Sequence, residues 1–293
     1  MITLPSTAAA TAASVLILVS CGPTEIPPYA VVEAQQFSRD GRDAFREGKV
    51  DEAYQAYAKA LELQRSIDDS AGIVRTLVNL AAISNAAGRS SDASVFLDAI
   101  DRYIGTVEAS TGIDPRDKPL NEALAEASWM RAYLHADAGR ISAAWAEIQR
   151  GKSRAGGSSR EIAGRFANLE ARLFLDSGDP ASALTTSRRA LRLNRRNDDD
   201  TETADSWRYI GRSLSQTGDP SGAYDAFAKA LELDTKLART SKVTDDLLGM
   251  AAAARDAGRP DQALACAERA RTAARAAGDS NAEARANKLK SSL

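Results

Sequence analysis

The chain has 293 residues, a formal net charge of −2, and a composition that is 44% hydrophobic but only 5% aromatic. So small a net charge sets up no long-range field to draw the chain onto nucleic acid. Few aromatics and abundant alanine point to a core of many small interhelical contacts rather than a few large ones.

The first informative segment is an apolar, alanine-rich stretch from Ala8 to Ser20, ending in Leu18-Val19-Ser20-Cys21-Gly22. The apolar run is shorter than the roughly 20 residues that a spanning helix needs. The five-residue ending resembles the lipobox of bacterial lipoprotein signal peptides, although no Lys or Arg precedes the apolar core. That resemblance implies a signal peptide over residues 1–20, cleavage before Cys21, and acyl chains on Cys21. Two or three acyl chains anchor stably where one does not. The absence of aspartate after Cys21 resembles the lipoproteins sent to the outer membrane, so the implied location is that membrane, facing the periplasm. Residues 21–32 then form a linker, whose run Pro23-Thr24-Glu25-Ile26-Pro27-Pro28 favours an extended, semi-rigid spacer. With Cys21 acylated, Cys266 is the only thiol left, so no intramolecular disulfide is available.

Beyond the linker one pattern recurs six times. A glycine is followed five residues later by alanine and preceded seven residues earlier by glycine or alanine. The glycines are Gly48, Gly88, Gly139, Gly178, Gly218 and Gly258; their partners are Ala53, Ala93, Ala144, Ala183, Ala223 and Ala263. Successive glycines are about 40, 51, 39, 40 and 40 residues apart, the signature of an array. Each glycine suits a position where a helix stops in the left-handed conformation. The flanking small residues suit a close helix crossing. Asp179-Pro180 and Asp219-Pro220 then open the following helix with an N-cap acceptor and a proline at the first helical position.

These residues resemble the tetratricopeptide-repeat (TPR) motif. Unit five carries it most fully, in Trp207, Ile210, Gly211, Leu214, Ala223, Phe227, Ala230 and Leu231; unit one follows with Phe37, Gly41, Ala53, Tyr57, Ala60 and Leu61. Two features depart from the motif, the missing closing proline and a period above the usual ~34 residues. The resemblance implies an all-α solenoid of about six helix-turn-helix repeats over residues 33–277, closed by a C-terminal capping helix within 278–293.

Chemistry-bearing patterns are few. His135, the only histidine, falls at a position filled elsewhere by Phe174 or Leu214 and reads as a packed filler without metal partners. Asp198-Asp199-Asp200 lacks the glycine and glutamate of a calcium loop, and Gly156-Gly157-Ser158-Ser159 lacks the lysine of a phosphate loop. No nucleophile stands with a base, so the sequence implies neither an enzyme nor a cofactor nor a small-molecule substrate. What remains is the inner wall that such arrays use for binding. Carried over residue by residue, the TPR groove positions are Arg39, Arg42, Arg75, Asn79, Trp129, Tyr133, Arg165, Asn168, Arg172, Arg208, Tyr209 and Arg212. Arginine outnumbers the acids predicted on that wall, and guanidinium forks grip carboxylates, so the expected partner is an acidic protein or peptide segment.

Two expectations compete. One is a lipid-anchored scaffold or adaptor serving an assembly, secretion, pilus or cell-wall complex of the envelope. The alternative is a cytoplasmic regulator that binds a peptide or partner protein. The lipobox separates them: metabolic labelling with a fatty acid should mark the wild type and miss Cys21→Ser, whereas an unlabelled, soluble wild type selects the cytoplasmic alternative.

Overall fold

The computed structural model describes residues 29–156 and 159–292, so the lipobox-like segment and Cys21 lie outside the described residues. Thirteen helices and no strand occur among those residues. They are α1 (Tyr29–Arg46), α2 (Val50–Ser66), α3 (Ser70–Ala86), α4 (Ser90–Ser110), α5 (Lys118–Asp137), α6 (Ile141–Ala155) and α7 (Arg160–Asp176). They continue with α8 (Pro180–Arg196), α9 (Asp200–Gln216), α10 (Pro220–Lys236), α11 (Thr240–Asp256), α12 (Pro260–Ala276) and α13 (Ser280–Lys290). Each odd helix packs antiparallel on the even helix that follows, which gives six pairs and the closing α13. The fold is an all-α solenoid. Among the described residues no helix is long and apolar enough to cross a membrane.

One turn geometry repeats throughout. Left-handed residues stand at Gly48, Asp68, Gly88, Gly178, Asp198, Gly218, Ala238, Gly258 and Gly278, at multiples of ten or twenty residues along the chain. The residue after each donates its backbone N–H back five residues, as Asp179 does to Phe174 (2.8 Å) and Arg239 to Asp234 (3.0 Å). That bond closes the outgoing helix, and the same residue caps the next one. Asp69, Asp117, Asp179, Asp199, Asp219 and Asp279 accept from the backbone N–H three residues on. A 17-residue helix plus three turn residues therefore makes a pitch of about 20, and the 40-residue sequence period is two such steps. Three of the turns between pairs lack a glycine, because Asp68, Asp198 and Ala238 occupy the left-handed position there, while Gly112, Gly156 and Gly278 hold it after α4, α6 and α12. The long spacing after Gly88 comes from a 21-residue α4, a 20-residue α5 and the loop 111–117 between them.

The predicted crossings are tight. Ala53, Ala93, Ala144, Ala183, Ala223 and Ala263 are all fully buried. A Cβ on Gly41 would stand 2.8 Å from the Tyr57 ring, and one on Gly211 3.0 Å from that of Phe227. Odd helices also touch across pairs, α3 to α5, α5 to α7, α7 to α9, α9 to α11 and α11 to α13, while no even helix makes a comparable contact with the next even one. The stack is therefore curved, with odd helices on the inner wall and even helices splayed outside. At the end, α13 buries Ala282 and Ala286 against unit six.

Ala223→Trp should overpack its crossing and cost on the order of 1–3 kcal/mol or more. Ala238→Gly should not destabilise, because the strain of alanine in the left-handed region, roughly 1 kcal/mol, offsets the flexibility glycine adds to the unfolded chain. Urea midpoints of the two variants check both statements.

Candidate functional site

The inner wall from unit three to α13 encloses an elongated concave cavity of about 940 Å³. All eight residues predicted for units three to five line it: Trp129 and Tyr133 on α5, Arg165, Asn168 and Arg172 on α7, and Arg208, Tyr209 and Arg212 on α9. Arg39, Arg42, Arg75 and Asn79, on α1 and α3, do not. Arg75 instead reaches Pro119 O (3.4 Å), and Arg39 donates to Gln36 on its own helix (2.7 Å).

The aromatic rings and arginines stack on one another. Trp129 and Tyr133, one turn apart on α5, have ring centroids 5.6 Å apart. Arg165 lies 4.0 Å over the Trp129 ring, Arg172 5.4 Å over Tyr133, and Arg212 5.9 Å over Tyr209. Burial pushes the hydroxyls of Tyr133 and Tyr209 above the usual tyrosine range, so both are neutral donors at physiological pH.

The cations already have partners. Arg172 bonds Asp137 at 2.7 Å and Asp176 at 3.4 Å, and Asp176 is 3.5 Å from Arg212. These four side chains form an alternating ladder from unit three to unit five. Arg165 lies 3.5 Å from Glu202. The expectation of an arginine-rich wall awaiting an acidic ligand needs correction on this point, since the arginines join one unit to the next. Asn168 and Arg208 need a further correction, because both are buried and fully engaged. Asn168 donates to the Glu202 carbonyl and carboxylate, each at 2.8 Å, and accepts from Ser206 (2.7 Å). Arg208 pairs with Asp205, Asp234 and Asp246.

That last set is a buried ionic node with Arg239, which holds Asp205 (3.0 Å) and Asp234 (2.9 Å). Asp234 and Asp246 are fully buried. The TPR groove positions do not single out this node, but a 40-residue shift along the sequence does. Asn168, Asn194 and Ser206 form a neutral hydrogen-bonded cluster between units four and five, and the same positions one unit later carry Arg208, Asp234 and Asp246. Three carboxylates share two guanidinium groups there. Burial pushes Asp246 up to about 7, with the neighbouring Arg208 opposing the shift. Asp205 moves the other way: burial alone would raise it, but Arg208 and Arg239 hold it below the carboxylate range. Burial likewise pushes Glu202 up to about 7, reinforced by Asp205 and opposed by Arg165.

The remaining predictions fall where bland packing puts them. His135 is half-buried and accepts from Arg140 Nε at 2.9 Å, and burial lowers its pKa. Cys266 is buried in unit six. Gly156 ends α6 in the left-handed conformation, while Gly157 and Ser158 lie outside the described residues. No cluster of three or more metal-ligating side chains occurs among the described residues.

No protein-family model matches the chain, and no curated protein sequence does either. Among solved structures its fold is similar to that of BtubC (BKLC) from P. vanneervenii. The TM-score is 0.56 and the identity 18%, over 86% of this chain and 93% of that one. A looser likeness, with TM-score 0.37 and 16% identity over 89% of this chain and 98% of the other, is to the TPR2AB domain of yeast Sti1 in its complex with pHSP90. At these identities the likeness is one of fold alone.

The raised carboxylates give a signed prediction. Glu202 and Asp246 bind protons more tightly folded than unfolded, so their contribution is full below the ordinary carboxylate range and is lost as pH rises through about 7. The urea midpoint should be higher near about pH 5 than near about pH 8, and Glu202→Gln should flatten that dependence by on the order of 1 kcal/mol.

Proposed function

We propose that this protein is a non-catalytic interaction scaffold whose inner wall, from α5 to α13, seats an extended segment of a partner polypeptide. The observation that carries the reading is the continuous cavity along five successive inner helices. It is lined by Trp129, Tyr133 and Tyr209 and by the Arg172–Asp176–Arg212 ladder. Rigid aromatic faces and arginines are the usual energetic anchors of interfaces. Alternating charge along the ladder offers both donors and acceptors, which suits a peptide backbone with mixed side chains better than a uniformly acidic one. An acidic partner would have to displace carboxylates already in place. The cations most available to it are Arg212, with one ion pair at 3.5 Å and 39% exposed, and Lys242 and Arg285, which share Asp245.

The lipobox-like Leu18-Val19-Ser20-Cys21 supports a scaffold tethered through Cys21 in the bacterial envelope, in the outer membrane of a two-membrane cell, where it would hold its partner close to the lipid surface. The titratable groups of the groove are bonded to one another rather than directed at a reacting atom, which supports the non-catalytic reading.

A photo-crosslinking side chain placed at Ala252 on the inner wall should capture a partner in intact cells, and one at Asp261 on α12 should not. Tyr133→Ala with Arg212→Glu should abolish the Ala252 adduct while helicity is kept. Capture from Asp261 alone would move the partner site to the outer layer.

A further inference from the structure

The splayed outer layer holds a second surface. Helix α8 carries five arginines, Arg188, Arg189, Arg192, Arg195 and Arg196, and no acidic residue, in a chain whose net charge is −2. All five are exposed. Arg189 pairs with Glu170, whereas Arg188, Arg192, Arg195 and Arg196 have no carboxylate within 4 Å among the described residues. Like charges at i, i+4 spacing repel, as in the pairs Arg188–Arg192 and Arg192–Arg196. The C-terminal helix dipole offsets this for Arg195 and Arg196, but Arg188 and Arg192 lie upstream of the last turn. Packing gives no reason for the concentration.

Beside it, α8 and α10 stand apart and leave an outer groove of about 510 Å³. Its floor is the outward side of α9, Trp207, Ile210 and Leu214, and Arg188, Arg192 and Lys229 stand along it. Lys229 Nζ lies 4.2 Å over the Trp207 ring. Asp219, which is occupied in capping α10, and Asp225 also border the groove.

We propose that this outer face of α8, with the α8–α10 groove, is a docking surface for an anionic phospholipid bilayer. In this arrangement the groove takes a headgroup phosphate between Arg188, Arg192 and Lys229, with the Trp207 indole at the polar–apolar boundary. Charge complementarity and shape decide for a bilayer. The surface lies on the convex layer and its cations run past the groove to Arg195 and Arg196 at the end of a helix of 17 residues, so a lattice of headgroups can meet all of them, whereas a strand seated in the groove would meet only Arg188 and Arg192 of α8. The proposal rests on the reading of an array tethered at Cys21. Two or three acyl chains at Cys21 would hold the array at the bilayer, and the basic face would then set which side of it lies against the headgroups. The seven residues from Gly22 to Pro28 that separate Cys21 from α1 can reach roughly 25 Å, enough for the array to lie on its convex side.

The test uses the full chain in a Cys21→Ser background, so that acylation plays no part, and vesicles of phosphatidylcholine with and without phosphatidylglycerol. The expected result is phosphatidylglycerol-dependent sedimentation that weakens with added salt. Arg188→Gln/Arg192→Gln/Arg195→Gln should lower that affinity by roughly a hundredfold. The triple lysine variant should keep most of it, and Lys242→Gln/Arg285→Gln on the inner wall should leave it unchanged. Circular dichroism checks that each variant is folded. No phosphatidylglycerol-dependent binding, or equal binding by the folded glutamine variant, overturns the proposal, as does an acidic protein that competes for α8 without any effect of lipid. Fatty-acid labelling of Cys21 reports on the tether separately, so either reading can fail while the other stands.

Discussion

The structure depends on one backbone constraint, the left-handed residue that ends each helix and delivers the chain to the N-cap of the next. Because the same residue that closes one helix opens its successor, the turn needs only three residues and leaves little freedom in the angle between helices. Repetition of that turn at a pitch of about 20 residues fixes which side chains face inward. The odd helices then converge and the even helices splay, so one chain acquires a concave wall and an open outer layer from a single local rule.

Convergence brings charged side chains of neighbouring units within bonding range, and this gives the inner wall its character. Arg172, Arg165 and Arg208 each bond a carboxylate roughly one unit away in the chain: Asp137, Glu202 and Asp246. In a solenoid, stability is a sum of units and of interfaces between neighbours, so such pairs bear on the interface terms. Buried pairs of this kind contribute modestly to net stability, but losing one partner is costly because the other charge is stranded. The wall proposed to seat a partner is therefore also part of what sets the spacing of units.

The helix pairs were legible because their determinants are local. A glycine, an alanine five residues later and an Asp-Pro at the next N-cap state the turn in sequence. Three of the turns between pairs were less so, since Asp68, Asp198 and Ala238 adopt the same conformation without the residue that advertises it. At the candidate site the register carried over from the TPR motif placed Trp129, Tyr133, Arg172 and Arg212 on one wall, because a helix face follows from the 3.6-residue period. It did not show that the arginines are paired. The acids that join one unit to the next lie 34 to 38 residues away, as Asp205 does from Arg239 and Asp246 from Arg208, and such pairing is set by how units stack. Comparison of units at a shift of 40 would have revealed the coordinated change from Asn168, Asn194 and Ser206 to Arg208, Asp234 and Asp246.

The two layers thus divide the charge of the molecule. Inward arginines are neutralised by neighbours, and the outward arginines of α8 other than Arg189 are not. The central claim is that the inner ones act as latches between units, and a double-mutant cycle on Arg208 and Asp246 tests it most directly. The account predicts that Arg208→Met, which leaves three carboxylates to Arg239 alone, is destabilising by about 3–5 kcal/mol, that Asp246→Leu costs less because Arg208 keeps Asp205 and Asp234, and that the double variant recovers part of the loss through a coupling above about 1 kcal/mol. Additive effects without coupling would contradict it and return Arg208 to the role of a free groove residue.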